Sequence, residues 1–141
     1  MEKSTTRPDD HIASLPEGTR QDLRLIDSVI SEAMPGVSRT LWEGKFWGGS
    51  DQTIIGYGAF AYRNSSGKEV EWFMVGLAAQ KDHLSVYVNA VSDDGYLLHA
   101  YADRLGRVKV GSAVVSFKRA SDVDLDGLRE LVSLAAEQIP R

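Results

Sequence analysis

Three apolar runs follow one another between residues 53 and 89, separated only by short polar links. The runs cover 53–62, 70–79 and 84–89. The links are built on Asn64, Ser65, Ser66 and Gly67, which are turn chemistry, and on Gln80, Lys81, Asp82 and His83. Such links are too short for the crossover that parallel strands require, so the pattern predicts an antiparallel meander. The third run carries the plainest strand signal, with Leu84, Val86 and Val88 alternating with Ser85, Tyr87 and Asn89.

The flanks supply helices to cover such a sheet. One starts at Thr19 as cap, with Asp22 near the positive end of its dipole, and repeats Leu23, Ile26, Ile30 and Ala33 at helical spacing. Met34-Pro35-Gly36 ends it. A second follows the break at Asp93-Asp94-Gly95, turning Leu97, Leu98, Tyr101 and Leu105 inward, with Gly106 as its left-handed terminus. A third is capped by Asp124 and carries Leu125, Leu128, Leu131, Val132, Ala135 and Ile139 as one stripe. Residues 108–110 and 113–117 read as one more strand, interrupted at Gly111-Ser112, and residues 39–47 fit either a strand or a helical turn. Gly48, Gly49, Ser50 and Asp51 mark a break. Residues 1–14, polar and containing Pro8, read as a flexible N-terminal tail, and 15–141 as the domain. The expected architecture is α+β: a single-domain antiparallel β-sheet with helices packed on it.

Composition limits the partners. A chain of 141 residues can bury a full core without staples, and with no cysteine it has neither disulfides nor thiolate metal sites. A net charge of −4 does not suit general nucleic-acid binding, which needs a basic face. No apolar stretch resembles a signal peptide or a membrane span, so no membrane partner is expected and the default compartment is the cytoplasm.

Several motifs reduce to structural readings. Asp122, Asp124, Asp126 and Gly127 match the opening of a calcium loop, but the twelfth position is Ser133 instead of a bidentate Glu, and the segment runs into a strong helix. Gly106 to Ser112 resembles a phosphate loop in spacing, yet lacks its lysine; Arg104, Arg107 and Lys109 retain a weaker capacity for an anion. The histidines His11, His83 and His99 have no metal-binding spacing. His11 and His99 read as solvated, while His83, beside Lys81 and Asp82, has groups for acid–base work but no marked nucleophile. Glu17, Asp22, Asp27 and Glu32 recur every five residues and so spiral about their helix instead of lining one side.

Aromatic residues concentrate in the middle third. Trp72 and Phe73 read as core. Trp42, Phe46 and Trp47, interleaved with the loop-like Glu43, Gly44 and Lys45, are candidates for a reachable aromatic site.

Three stretches together resemble the YdhG-like family of small bacterial domains of unknown function. They are LPEGTRQDLRLIDSVISEAMPG with the following TLWEGKFWGG, the central GLAAQKDHLSVYVNA, and the closing GRVKVGSAVVSFKRASDVDLDGLRELVSLA, which together lie within residues 15–136. The resemblance implies an α+β fold whose sheet carries a groove, with Trp42, Lys81, His83, Tyr87 and Lys109 at the family's typical polar and aromatic positions. The family's proline-bearing segment of the form W-G-x-P-x-Y reads WEGKFW here. The expectation is a non-enzymatic domain binding a small anionic or amphipathic ligand, without a cofactor, through Trp42, Glu43, Phe46, Trp47, Lys81, His83, Tyr87 and Lys109. The alternative is an intracellular iron-binding chaperone, because some YdhG-like proteins are described as frataxin-like iron chaperones.

Overall fold

A computed structural model of the chain describes residues 1–45 and 51–140. The predicted meander is the centre of a larger antiparallel sheet. Its strands are β1 (Glu2–Lys3), β2 (Arg39–Lys45), β3 (Asp51–Tyr57), β6 (Val75–Ala79), β7 (Leu84–Val88), β10 (Lys109–Val110) and β11 (Val114–Phe117). Among the described residues their order is β1-β2-β3-β6-β7-β11-β10. Two small ribbons branch from it: β4 (Phe60–Arg63) with β5 (Glu69–Trp72), and β8 (Val91–Ser92) with β9 (Gly95–Tyr96).

Two of the predicted strands are each divided. The run 53–62 breaks after Tyr57 at Gly58, whose φ of +74° suits glycine; a Cβ there would also stand 2.5 Å from Ile139 Cδ1. The run 70–79 breaks at Phe73-Met74. There Asn89 clasps the backbone, its amide N–H donating to Met74 O (2.9 Å) and its Nδ2 to Phe73 O (2.8 Å). The excised residues pair as the β4–β5 ribbon, whose turn is closed by Asn64 Oδ1 accepting from the Ser66 and Lys68 amides. The stretch expected to be one interrupted strand near Gly111 is a hairpin, closed by Gly111 N donating to Val114 O at 2.7 Å.

The helices are α1 (Pro8–Ala13), α2 (Glu17–Ala33) and α3 (Leu125–Ala136), with 3-10 segments η1 (Leu97–Arg104) and η2 (Ala120–Asp122). Helix α2 starts two residues before the expected Thr19, after Pro16, and buries Leu23, Ile26, Val29 and Ile30. The second predicted helix is the 3-10 segment η1, in which the three-residue spacing of Leu98 and Tyr101 puts both on the buried side. Asp124 caps α3 as expected, its Oδ1 accepting from the Asp126 and Gly127 amides at 3.0 and 3.1 Å. Gly127 admits no side chain, because its Cβ would stand 2.0 Å from Arg104 O of η1.

The N-terminal fourteen residues, read from sequence as a tail, carry structure. β1 pairs with β2, and α1 buries Ile12 against the core. A six-residue helix is too short to display a period, which is why the segment looks featureless in sequence. Its signal is Pro8 at the first helical position with Asp9 and Asp10 in the first turn. It is fastened by Arg39 of β2, whose Nη1 donates to Asp9 Oδ1 (2.9 Å) and to Asp27 Oδ2 of α2 (3.1 Å). Tyr57 Oη donates to the other oxygen of Asp27 at 2.6 Å, so one carboxylate joins α2 to two strands.

All the helices pack on one face of the sheet. Leu41, Ile55, Tyr57, Leu77, Leu84, Val86 and Val115 point into that main core with α1, α2, α3 and η1. The opposite face carries a smaller cluster of Trp42, Ile54, Phe73, Ala78 and Tyr87, to which no helix contributes among the described residues. Ser85, the polar partner in the alternating run, is buried there too.

Candidate functional site: the helix-free face of the sheet

This second face is built on a pair of glycines. Gly56 of β3 lies opposite Gly76 of β6. A Cβ on Gly56 would meet Trp42 Nε1 at 2.7 Å and Phe73 Cβ at 2.8 Å; one on Gly76 would meet the Phe73 ring at 2.5 Å. A mid-strand glycine costs about 0.5–1 kcal/mol relative to alanine. Seating a ring removes about 150–250 Å² from water, worth roughly 4–6 kcal/mol as an upper estimate. Ring burial therefore wins, and the glycine pair is the socket for Phe73 and Trp42. Phe73 stacks on Trp72 at 4.4 Å between centroids and meets Tyr87 edge-on at 6.3 Å.

Beside the rings lies a polar row. Gln80 Nε2 donates to Gln52 Oε1 and to Tyr87 Oη, both at 3.1 Å, and Ser85 Oγ donates to Gln80 Oε1 at 2.5 Å. Ser85 and Ser116 hydroxyls are 3.3 Å apart. Burial pushes the Tyr87 phenol above its ordinary pKa, against the lowering effect of its hydrogen bonds with Gln80 and Ser85. Tyr87 is mostly buried but still lines a concavity on this face.

Two concavities open on this face. One, of about 340 Å³, is bounded by Trp72, Phe73, Tyr87, Asn89, Tyr96 and Val114. The other, of about 390 Å³, has Lys109, Val114, Ser116, Lys118 and His83 in its wall. Val114 belongs to both, so they meet along β11. The Ser112 carbonyl at the turn is held by His99, whose Nε2 lies 2.9 Å from both Gly111 O and Ser112 O. Both partners are carbonyls, so that nitrogen carries the proton. His99 is therefore exposed but tethered, where the sequence suggested a freely solvated ring.

The residues expected to form one groove are distributed as follows. Tyr87 and Lys109 lie on the helix-free face, and His83 reaches it from the β6–β7 turn. Trp42 is on the same face but only 5% exposed, enclosed by Trp72 and Phe73 with Lys3 Nζ 5.7 Å above its ring. It is interior, not a reachable floor, whereas Trp72, read from sequence as core, is half-buried and lines the groove. The reversal comes from the glycine socket, which seats the indole of β2 and leaves the ribbon's indole beside it. Lys81 lines a further hollow of about 260 Å³ around the end of the sheet, with Thr19, Asp22, Asp82 and Arg119, which adjoins the second concavity at His83 and Lys118. Glu43 projects from the other side of β2, toward His11. Phe46 and Trp47 lie outside the described residues.

Of the residues that line these concavities, the sequence did not single out Asn89, Tyr96, Val114, Ser116 or Lys118, and it favoured the core for Trp72. Their signal was present in part: in the stretch VVSFK, Val114, Ser116 and Lys118 alternate with the core residues Val115 and Phe117.

Among the described residues no group of three or more His, Asp or Glu comes together in a way that could hold a metal ion. Asp122 Oδ2 accepts from the Arg119 amide at 3.1 Å and Asp124 is committed to its cap, so two aspartates of the calcium-like motif serve backbone ends, while Asp126 pairs with Arg129 on the surface. Asp22 binds Arg119 Nε at 2.6 Å and the Ala120 amide at 3.2 Å.

The fold and this face define a single-domain α+β protein with helices on one side of an antiparallel sheet and an aromatic, groove-bearing face on the other. No family model, curated protein or solved structure matches the chain. No helix among the described residues is long and apolar enough to cross a membrane.

Proposed function

We propose that this chain is a non-enzymatic binding domain that takes a small, largely apolar ligand on its helix-free sheet face, in the groove beside Trp72, Tyr87 and Tyr96. The observation that carries the reading is the groove's make-up. Aromatic side chains wall it, and Tyr96 is 39% exposed at its rim. Asn89, Tyr87 and Ser112 place a few polar groups among them, the composition typical of small-molecule sites. The resemblance to YdhG-like domains carries the same expectation of a groove on the sheet.

The groove wall is also braced. Asn89 is fixed to Phe73 and Met74, and the turn carrying Ser112 is fixed to His99, so a ligand would meet a preformed surface and lose less affinity to ordering it. The test is a titration with the apolar fluorophore anilinonaphthalene sulfonate, followed by its emission and by tryptophan quenching. Saturable binding that Trp72→Ala weakens several-fold supports the reading. Binding that Trp72→Ala leaves unchanged, or no saturable binding, counts against it.

A further inference from the structure

The groove does not stop at its aromatic end. Resting on the binding role proposed above, we infer that the ligand is an amphipathic anion: an apolar chain lies among the rings, and a single anionic head group sits at the far end of β11 between Lys109, Lys118 and His83.

Three observations lead there. The first is continuity. The aromatic groove and the second concavity share Val114, and beyond it Ser116 and Lys118 continue on the same side of the chain. The second is convergence of charge. Ser116 stands opposite Lys109 on β10, and the pairing of Phe117 with Leu84 places Lys118 opposite His83 one step further on. The side chains of Lys109, Lys118 and His83 form no hydrogen bond or ion pair among the described residues, and no carboxylate lines this concavity; Asp22 and Asp82 lie in the adjoining hollow, which shares Lys118 and His83. In a chain of net charge −4, two lysines and a histidine in a wall that holds no carboxylate make this the basic end of the trough. The third is length. From Val114 to Lys118 the strand advances four residues, about 13 Å at roughly 3.3 Å per residue. A ligand touching both ends must therefore carry an extended apolar chain; an acid with only a few carbons reaches one end or the other.

Polarity along the trough then fixes orientation. The tail displaces water from Trp72, Tyr87 and Val114, where apolar burial contributes most of the affinity. Ser116 marks the change from apolar to charged wall, and the head group supplies the anion that the lysines lack. Carboxylate and phosphate heads share this chemistry.

The experiment titrates the full chain with decanoate, decyl phosphate and decanol, each below its micelle concentration, and repeats the series with the double variant Lys109→Ala/Lys118→Ala. Both lysines are exposed, so the variant keeps the fold. Decanoate or decyl phosphate is expected to bind more tightly than decanol, the tighter of the two naming the head group. The double variant is expected to weaken the anions about five-fold or more, the scale of two exposed ion pairs, and to leave decanol unchanged. If all three bind alike and the variant changes none of them, the groove stands and the anionic end is refuted. If butyrate matches decanoate, the extended orientation is refuted. If none of these amphiphiles binds, the binding role and this inference fall together.

Discussion

Gly56 and Gly76 face each other across the β3–β6 ladder, and the space that two side chains would fill is occupied by the rings of Trp42 and Phe73. That pairing turns the open face of the sheet into a packed aromatic layer with a groove beside it. Gly56→Ala would put a methyl group 2.7 Å from Trp42 Nε1, and Gly76→Ala would put one 2.5 Å from the Phe73 ring. Each is expected to destabilise by about 1–3 kcal/mol through overpacking. Urea unfolding followed by tryptophan emission checks this, and should also show an altered native spectrum.

The carboxylate of Asp27 joins Arg39 and Tyr57, one on each of two neighbouring strands. Tyr57→Phe removes a 2.6 Å hydrogen bond to a charged group inside the core and should cost about 1.5–3 kcal/mol. Asp27→Ala should cost more, because it also leaves the Tyr57 hydroxyl without its partner. A double-mutant cycle of the two by urea denaturation should show strong coupling; additive effects would mean that the hydroxyl and the carboxylate do not act together.

Acid should loosen the N-terminal segment first. Burial holds His11 below its ordinary pKa of 6.5, against the opposing pull of Glu43. A lowered folded pKa favours the neutral ring, so its stabilising effect is complete above 6.5 and is lost as pH falls below it. The hydrogen bond from Arg39 holds Asp9 below 3.8, so the tie from α1 to β2 persists until the pH falls past that value. Asp22, lowered chiefly by Arg119, follows the same sign. Unfolding midpoints at about pH 7 and about pH 5 should therefore differ in the wild type, and less so in His11→Gln.

The cap of α3 offers a local check. Asp124→Ala should cost about 1 kcal/mol, whereas Asp126→Ala, at an exposed position with only a surface pair to Arg129, should change little. Gly127→Ala should be far worse than either, since Arg104 O lies where the Cβ would go. Thermal melts of the three variants rank them.

Much of this architecture is legible in the sequence, and the rest has identifiable reasons for being hidden. The meander follows from alternation at Leu84, Val86 and Val88, and the last helix from Asp124 and its leucine stripe, because both signals are local. The breaks at Gly58 and Phe73 are not local. Asn89 clasps the backbone at Phe73 and Ile139 fills the space beside Gly58, and both lie outside the runs that break there. The same limit applies to the site. Tyr87 and Lys109 can be singled out from the sequence, but which of Trp42 and Trp72 stays within reach depends on a glycine pair formed only when β3 meets β6. Lys81 and His83 are two residues apart, yet the turn sends Lys81 around the end of the sheet, into the hollow beside α2, and lets His83 reach the helix-free face as well.

Amide chemical-shift mapping during a decanoate titration tests the central claim most directly. Perturbations concentrated at Trp72, Tyr87, Asn89, Tyr96 and residues 112–118 are predicted. Perturbations concentrated instead on α2 and α3, or spread evenly over the chain, would contradict the assignment of the helix-free face as the binding surface.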